Sequence, residues 1–477
     1  MKRAKRLYIL FGVLVAVCIA TVCVLHYDQK QEEIQTSGET ILTVDADTVS
    51  ALDWETESAS LAFHKDGSWL YDEDEAFPVS EEKINDLLAQ FEDFKAAFII
   101  ENVTDFAQYG LDDPVCTIDL TAGDTAYTIQ LGDFSSMDSQ RYVSIGDGNV
   151  YLAVTDPLDA FDLSLSDMIA NDQVPSFGEV SAIHFAGTES YDVVYQEYTE
   201  GSADTVCSDD VYFKQEGDAL LPLDTTAVES YLSAISNTDY TDYVTYNVTD
   251  EELATYGLDA PEVTVTVEYT TLDEESDSPS TFTLRVSRDP VELAAQAASE
   301  AVEEASSSSA DTGTEEEITA YARIGDSPIV YQISGSSYES LMKYTYNDLR
   351  HTDALTADFA DVTGFDVSLE GQVYNITSQG TGDDRTFLYG EEEIDITDLQ
   401  SALTAVNADS FTDESPAQKE EIGITVHLDN EAHPTVQLEF YRYDGEHCLA
   451  VVDGTPFALV ARSEVVDLIE AVNTIVL

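Results

Sequence analysis

One stretch of this sequence occurs twice, and that repetition constrains the fold more than any other feature. The first copy covers residues 102–114, and the second, two residues longer, covers 247–261. In each copy a Thr (Thr104, Thr249) is placed to cap a short helix, and a Gly suits the left-handed position that ends it. The Pro that follows prevents further helix and favours a strand. A capped turn, a stop and a strand start, found twice, predict an internal repeat.

Amphipathic helices extend the repeat to three copies. The apolar residues of each helix follow the spacing i, i+3, i+4, i+7, which places them on one buried face. The three sets are Ile84, Leu87, Leu88 and Phe91; Val228, Tyr231, Leu232 and Ile235; and Leu399, Ala402, Leu403 and Val406. Ser80, Asp224 and Asp395 stand four residues before the first member of each set, where an N-cap belongs. Each copy closes on a second helix, of which the last is predicted to be capped by Ser463.

Alternating strands surround these helices. Each copy opens on a strand whose apolar residues share one face, so that Asp53, His184 and Asp366 point the other way. Asp-Gly pairs between later apolar runs, such as Asp453-Gly454, predict tight hairpins and therefore antiparallel pairing. The sequence predicts an α+β fold of three tandem repeat units, each a mostly antiparallel sheet with two packed helices. The predicted units cover residues 41–170, 178–350 and 359–477, and each has three strands, a helix, four strands and a helix.

The second unit contains an insertion at residues 289–317, which is rich in Ala, Glu and Ser. Because it has few apolar residues to offset its ordering entropy, it is predicted to be a disordered loop. Residues 170–177 and 351–358 are predicted to be short connectors between the units.

The N-terminus predicts a membrane anchor. A basic tail at residues 1–6 precedes residues 7–25, which carry no charge. As a helix, this segment would be about 28 Å long, close to the thickness of a bilayer's hydrocarbon core. The charges predict a single-pass protein with a cytoplasmic N-terminus, a tether at 26–40 and an extracytoplasmic remainder. A cleaved signal peptide is the alternative, although no Ala-x-Ala-like site follows the apolar segment.

Charge restricts the partners. The chain has 95 acidic and 19 basic residues, and four of the basic ones lie in the N-terminal tail. Such a surface repels nucleic acid phosphates and anionic lipids, so neither nucleic acid nor a peripheral membrane surface is an expected partner. Three of the five Cys lie outside the apolar segment, at positions 116, 207 and 448. Their wide spacing predicts neither a disulfide framework nor a metal motif.

No sequence motif for a P-loop, a Rossmann glycine fingerprint, GxSxG or HExxH is present. The segment 427–433 contains two His, an Asp and a Glu, but its position between two strands predicts a hairpin turn. The acidic run 72–75 lacks the spacing of a calcium loop and predicts a solvated turn. Trp54 and Trp69 are predicted to pack in a core, as are the thiols of Cys116 and Cys448. No catalytic, cofactor-binding or metal-ligating residue is predicted.

Several of these features together resemble a known family. They are the basic start with its apolar helix, Trp54 and Trp69 on alternating strands, Phe-Pro-Val at 77–79, and Tyr-Gly-Leu-Asp-Asp-Pro at 109–114. The chain resembles the bacterial family called domain of unknown function 4340, most clearly in its first two copies. The resemblance implies a bacterial membrane-anchored protein encoded beside ABC-type transport components. It implies no activity and no catalytic residues.

The leading hypothesis for function is a non-enzymatic, membrane-anchored binding or accessory module, acting with an ABC-type transport system or a cell-envelope component. Two alternatives remain open. The acidic surface could bind divalent cations, or a carboxylate pair could hydrolyse an envelope glycan.

Overall fold

The chain forms two compact bodies. A computed structural model describes residues 38–199, 203–271, 278–306, 318–382 and 385–477. One body, the N-terminal body, ends at Asn171, and the other, the C-terminal body, extends from Asp172 to Leu477. The N-terminal body contains one sheet, and the C-terminal body contains two.

Each sheet has nine antiparallel strands. The first sheet contains β1 Glu39–Leu42, β2 Val49–Thr56, β3 Ser60–Asp66, β4 Ser68–Tyr71, β5 Phe94–Ile100, β6 Cys116–Ala122, β7 Thr125–Ser135, β8 Gln140–Ser144 and β9 Val150–Ala153. The second contains β10 Val180–Gly187, β11 Tyr191–Tyr195, β12 Tyr212–Glu216, β13 Ala219–Pro222, β14 Tyr243–Thr245, β15 Val263–Thr270, β16 Pro279–Arg288, β17 Ala320–Ile324 and β18 Val330–Ile333. The third contains β19 Val362–Leu369, β20 Gln372–Gln379, β21 Thr386–Tyr389, β22 Glu392–Ile394, β23 Ala408–Phe411, β24 Glu420–Leu428, β25 Thr435–Arg442, β26 His447–Val452 and β27 Thr455–Ala461.

The second and third sheets share one topology, and the first matches it over eight of its nine strands. The second sheet has the order β13-β12-β11-β10-β15-β16-β17-β18-β14, and the third has the corresponding order β22-β21-β20-β19-β24-β25-β26-β27-β23. The first sheet has the order β4-β3-β2-β6-β7-β8-β9-β5-β1; it lacks a counterpart of the edge strands β13 and β22 and has β1 at the opposite edge instead. This shared order confirms the predicted antiparallel repeat. It also adds a strand after each first helix (β5, β14 and β23), and a fourth strand before that helix in the second and third units (β13 and β22), which the sequence pattern did not predict.

Helices are placed between strands and at the ends of the units. They are α1 Glu81–Ala89, α2 Leu158–Phe161, α3 Thr225–Asn237, α4 Pro290–Ser306, α5 Gly335–Leu341, α6 Tyr346–Leu349, α7 Thr397–Thr404 and α8 Arg462–Val476. The Ser80 and Asp224 side chains cap α1 and α3 as predicted. Asp395 accepts from the Thr397 N–H although the N-cap position is one residue later. Ser463 is no cap, because α8 begins one residue before it.

The predicted apolar faces form the cores. In α1 the residues Ile84, Leu87 and Leu88 are buried, and the stripe of α3 is buried throughout. Trp54 is 1 % exposed and stacks on Phe63, with ring centroids 5.6 Å apart. Trp69, Cys116 and Cys448 are buried as well, which confirms that they are core residues.

The repeated stretch folds almost as predicted. Gly110 and Gly257 both adopt left-handed conformations, with φ of 68° and 71°. Each closes a short 3-10 turn, Ala107–Tyr109 or Leu253–Tyr256, and the Leu that follows is buried. The predicted Thr caps are wrong. The Thr249 hydroxyl donates to the Glu252 carboxylate instead, so the turn begins later than the sequence pattern suggested.

The insertion at 289–317 needs a correction. Its first part is not disordered but forms α4. Ala and Glu are strong helix formers, Pro290 suits the first helical position, and the Asp289 carboxylate accepts the N–H groups of Val291 and Glu292. Residues 307–317 lie outside the described residues.

The predicted membrane span is also corrected. Within the described ranges, no helix combines the length and the apolar composition that crossing a bilayer requires. The longest, α4, has 17 residues and contains several Glu. The predicted span at 7–25 lies outside the described residues, as do the basic tail and residues 26–37 of the predicted tether. We therefore withdraw the transmembrane helix from the fold class, and with it the single-pass membrane location.

Candidate functional site

Each sheet carries a His–carboxylate pair on its outer face. The pairs are His64 Nδ1 with Asp72 at 2.6 Å, His184 Nδ1 with Asp192 at 2.7 Å, and His427 Nε2 with Asp366 at 2.9 Å. All three are substantially exposed. Hydrogen bonds to the carboxylates raise the pKa of His64 and His184. This recurring element includes two of the three residues predicted to face outward, His184 and Asp366.

A largely buried cluster in the C-terminal body has a different character. It contains Cys207 and Asp210, from the loop before β12, and His351, from the connector that leads to the third sheet. His351 Nε2 lies 2.7 Å from Asp210 Oδ1, and the His and Asp side chains are only 16 % and 1 % exposed. The Thr205 hydroxyl donates to the other Asp210 oxygen over 2.6 Å. We call Cys207, Asp210 and His351 the junction triad, because it joins the second sheet unit to the chain that enters the third.

The elements around the triad are held by their own hydrogen bonds. Thr205 Oγ1 accepts the Cys207 N–H, and Thr225 Oγ1 donates to the Asp209 carbonyl while accepting the Val211 N–H. After His351, the chain pairs with the segment that leads from α7 into β23: the Ala354 N–H donates to the Val406 carbonyl, and the Thr352 carbonyl accepts the Ala408 N–H. The predicted connector 351–358 is therefore firmly positioned.

Protonation of the triad argues against a cysteine nucleophile. Burial raises the pKa of the Cys207 thiol to about 11, so the thiolate needed for attack is scarce at neutral pH. Burial alone would lower the pKa of His351, but the hydrogen bond and charge of Asp210 outweigh it and raise that pKa. The triad is therefore a protonated thiol beside a His–Asp pair rather than an activated nucleophile.

Two adjoining hollows lie beside the triad and share Tyr346 and Arg350. One, of about 410 Å³, is the junction hollow; its lining includes Glu189, Tyr191, Lys214, Tyr346, Arg350 and Asp413. The other, of about 210 Å³, is lined by His351 and Asp353 among others.

Aromatic rings hold the two cations of the junction hollow. The Arg350 guanidinium lies 4.3 Å from the ring centroid of Phe411, 4.9 Å from that of Tyr346 and 5.2 Å from that of Phe457. Lys214 Nζ lies 4.5 Å above the same Tyr346 ring. Such contacts fix a cation by its face and leave its N–H donors available. Within the described part of the chain, neither cation has a carboxylate within ion-pair distance.

A larger hollow of about 770 Å³ lies in the third sheet unit and contains Arg385. There the guanidinium donates to the carbonyls of Ala360 and Val362 and lies 3.6 Å from Asp429. Because the fold already uses both terminal nitrogens of the guanidinium, we do not assign a ligand to this hollow despite its size.

The segments singled out from sequence are turns. Residues 427–433 span the end of β24 and the turn before β25, where the Asn430 side chain accepts the His433 N–H. Residues 72–75 follow β4, and Asp72 pairs with His64. Neither segment contributes to the one set of three potential metal ligands that the described residues bring within 4.8 Å, which is the junction triad.

Sequence reasoning missed the triad and the junction hollow. His351 and Asp210 are 141 residues apart, and Cys207 belongs to no spaced motif. The one available signal was a His at the start of a predicted connector in a chain with only seven His.

Comparison with known proteins gives one family. The family model described as domain of unknown function matches residues 69–202 and 214–425, more than half of the chain. No curated protein and no solved structure matches. The matches reach all three sheet units but assign no activity.

Proposed function

Since the chain belongs to the family described as domain of unknown function (DUF4340), we propose its function from its geometry: it is a non-enzymatic binding module whose ligand site is the junction hollow. The observation that carries the proposal is the state of Arg350. Its guanidinium is held by three aromatic rings while its N–H donors have no acceptor among the described residues. A planar guanidinium with free donors is suited to bidentate recognition of a carboxylate.

The backbone keeps Arg350 in place. The Thr345 and Asp348 side chains form a capping box at the start of α6, and the Arg350 N–H donates to the Tyr346 carbonyl over 2.9 Å. The Tyr346 N–H in turn donates to the Glu189 carboxylate over 2.9 Å. A guanidinium fixed in this way loses little freedom when a ligand binds, which favours affinity.

The charges in the hollow favour a zwitterionic ligand. Lys214 and Arg350 can receive a carboxylate, while Glu189 and Asp413 can receive a cation in the same hollow. A purely anionic ligand would be repelled by a chain of net charge -76, whereas a zwitterion experiences little net repulsion. The volume of about 410 Å³ is suited to one or two amino-acid residues. We therefore propose a short peptide with free termini as the ligand class.

Binding without chemistry fits the groups beside the hollow. The Cys207 thiol has its pKa raised to about 11, and Asp210 is already engaged by His351 and Thr205. Association with a transport or cell-envelope component remains a prediction, as does the glycan-hydrolase alternative.

Calorimetry on the full chain with a panel of dipeptides tests the proposal. We expect saturable one-to-one binding that falls at least about tenfold, or roughly 1.4 kcal/mol, in Arg350→Gln and in Lys214→Gln. Lys83→Gln removes the same charge from an exposed position on α1 and should bind like the wild type. Blocking the peptide C-terminus as an amide should reproduce the loss.

Two results would contradict the proposal. One is the absence of saturable binding by any dipeptide in the panel. The other is binding that Arg350→Gln leaves unchanged, which would move the ligand site elsewhere.

A further inference from the structure

The junction triad contains three different kinds of metal ligand. Cys207 offers a sulfur, Asp210 a carboxylate oxygen and His351 an imidazole nitrogen, and these atoms all lie within 4.8 Å of one another. We propose that the triad is a binding site for a single zinc ion, which displaces the proton of the Cys207 thiol when it binds. The inference does not depend on the ligand proposed for the junction hollow.

The geometry needs only a small adjustment. Zinc binds sulfur at about 2.3 Å and nitrogen or oxygen at about 2.0 to 2.2 Å, so neighbouring ligand atoms in a tetrahedral site are about 3.4 Å apart. The closest pair, His351 Nε2 and Asp210 Oδ1, is 2.7 Å apart. Opening this contact by about 0.7 Å would give the two atoms the spacing of neighbouring ligands in a tetrahedral site.

A supporting second shell is already present. The Thr205 hydroxyl donates to the Asp210 oxygen that does not face His351, over 2.6 Å. It also accepts the Cys207 N–H over 3.0 Å, so one hydroxyl orients two of the three ligands. Outer hydrogen bonds of this kind orient metal ligands and strengthen binding.

The chemistry of the donors selects the metal. A sulfur, an imidazole and a carboxylate match zinc, whereas calcium and magnesium prefer sites built from oxygen alone. Three protein ligands leave a fourth position open. His351 lines the hollow of about 210 Å³ together with Asp353, so that hollow provides an entry path for the ion.

The ion would also connect parts of the C-terminal body. Cys207 and Asp210 precede β12 of the second sheet, while His351 begins the connector to the third. Val206, which directly precedes Cys207 in the chain, packs against the core of the third sheet unit. A bound zinc ion would therefore fasten the second and third sheet units to each other.

Metal titration of the full, reduced chain tests the site. Zinc is added in competition with a chromophoric chelator, and cobalt(II) is used as a spectroscopic probe. We expect one equivalent of tightly bound metal, and for cobalt a sulfur-to-metal charge-transfer band with tetrahedral ligand-field bands. Cys207→Ser and His351→Gln should each weaken zinc binding by more than about 100-fold. Replacing a residue that only hydrogen-bonds to a metal ligand can already weaken metal binding by up to about 100-fold, and these two residues bind the metal directly.

Matched variants control for residue type. His184→Gln removes a His that also contacts two carboxylates in the same body, and Cys448→Ala removes a buried thiol of the third sheet. Both should keep the stoichiometry, the affinity and the cobalt spectrum.

Equal zinc affinity in wild type and Cys207→Ser, or a cobalt spectrum without the sulfur band, overturns the proposal. If circular dichroism shows that a triad variant does not fold, the rate of Cys207 alkylation in the wild type, measured with and without zinc, tests the proposal instead. Protection of Cys207 by one equivalent of zinc, mapped by mass spectrometry, supports the site, and an unchanged alkylation rate at Cys207 refutes it.

Discussion

Two His–Asp pairs in the C-terminal body are equally short but lie in opposite surroundings. His184 with Asp192 and His351 with Asp210 both have a nitrogen–oxygen distance of 2.7 Å. In the first pair the His and Asp side chains are 41 % and 57 % exposed, and in the second 16 % and 1 %. Water competes for the first pair but hardly reaches the second. An ion pair's distance therefore says little about its contribution until its burial is known.

Repetition makes the comparison more informative. Outer-face pairs occur in all three sheets, although the residue on the first strand of the unit is His184 in one case and Asp366 in another. When His and Asp can exchange places between strands, the pair serves to bring opposite charges together on the surface and does not need a fixed site. Among the residues that the structure describes, the junction triad occurs once, and it depends on a connector between two units, so it is the better candidate for function.

Removing one partner from each pair should give the largest contrast. Without metal, Asp210→Ala leaves His351 and Thr205 without their acceptor in a buried place, and we expect a loss of about 3 to 5 kcal/mol. Asp192→Ala should lose less than about 1 kcal/mol, because water replaces the contact. Urea unfolding of both variants in the presence of a chelator measures the difference. Equal losses would show that burial does not distinguish the pairs.

Removing a supporting hydroxyl should have an intermediate effect. Thr205→Val deletes the donor to Asp210 and the acceptor of the Cys207 N–H, which should cost about 1 to 3 kcal/mol. Thr128→Val deletes a comparable hydroxyl that donates to Asp119 on the exposed face of the first sheet, and should cost under about 0.5 kcal/mol. The same urea series provides the measurement. If the Thr205→Val variant is as stable as the wild type, the Thr205 hydroxyl does not support the triad.

The parts of the fold that the sequence predicted are those encoded locally. The stripe of α3 (Val228, Tyr231, Leu232 and Ile235) is a spacing within one element, and its burial follows from that spacing. The turn at Asp453-Gly454 is equally local, and both residues have the positive φ that a two-residue hairpin needs. Short edge strands were missed, because β14 and β23 have three and four residues and no clear alternation.

The candidate site was not predictable in this way. Asp210 and His351 come together only because α6 and the connector return to the loop before β12, a contact across 141 residues. Arg350 likewise gains its significance from Phe411 and Phe457, which are distant in sequence and belong to the third sheet. Neither set has a fixed spacing, so single-sequence reasoning could list these residues but not assemble them.

The pH dependence of His184 gives the smallest effect. Hydrogen bonding to Asp192, aided by Glu268, raises the pKa of His184 above its ordinary value of 6.5. A His whose pKa is raised on folding stabilises the protein fully below the unfolded value, near 6.5, and this contribution is lost as pH rises through the folded pKa. Because the side chain is 41 % exposed, solvent screening should keep the contribution to a few tenths of a kcal/mol.

NMR titration is therefore the sensitive measurement for His184. The ring resonances should report a pKa above 6.5 in the wild type and a lower pKa in Asp192→Ala. In that variant the pKa should not fall all the way to 6.5, because Glu268 stays 3.3 Å from Nε2. Unfolding midpoints of wild type and His184→Gln should converge as pH rises beyond the folded pKa. A His184 pKa at or below 6.5 in the wild type would mean that the His184–Asp192 contact does not form in solution. The outer-face histidines would then be ordinary surface residues.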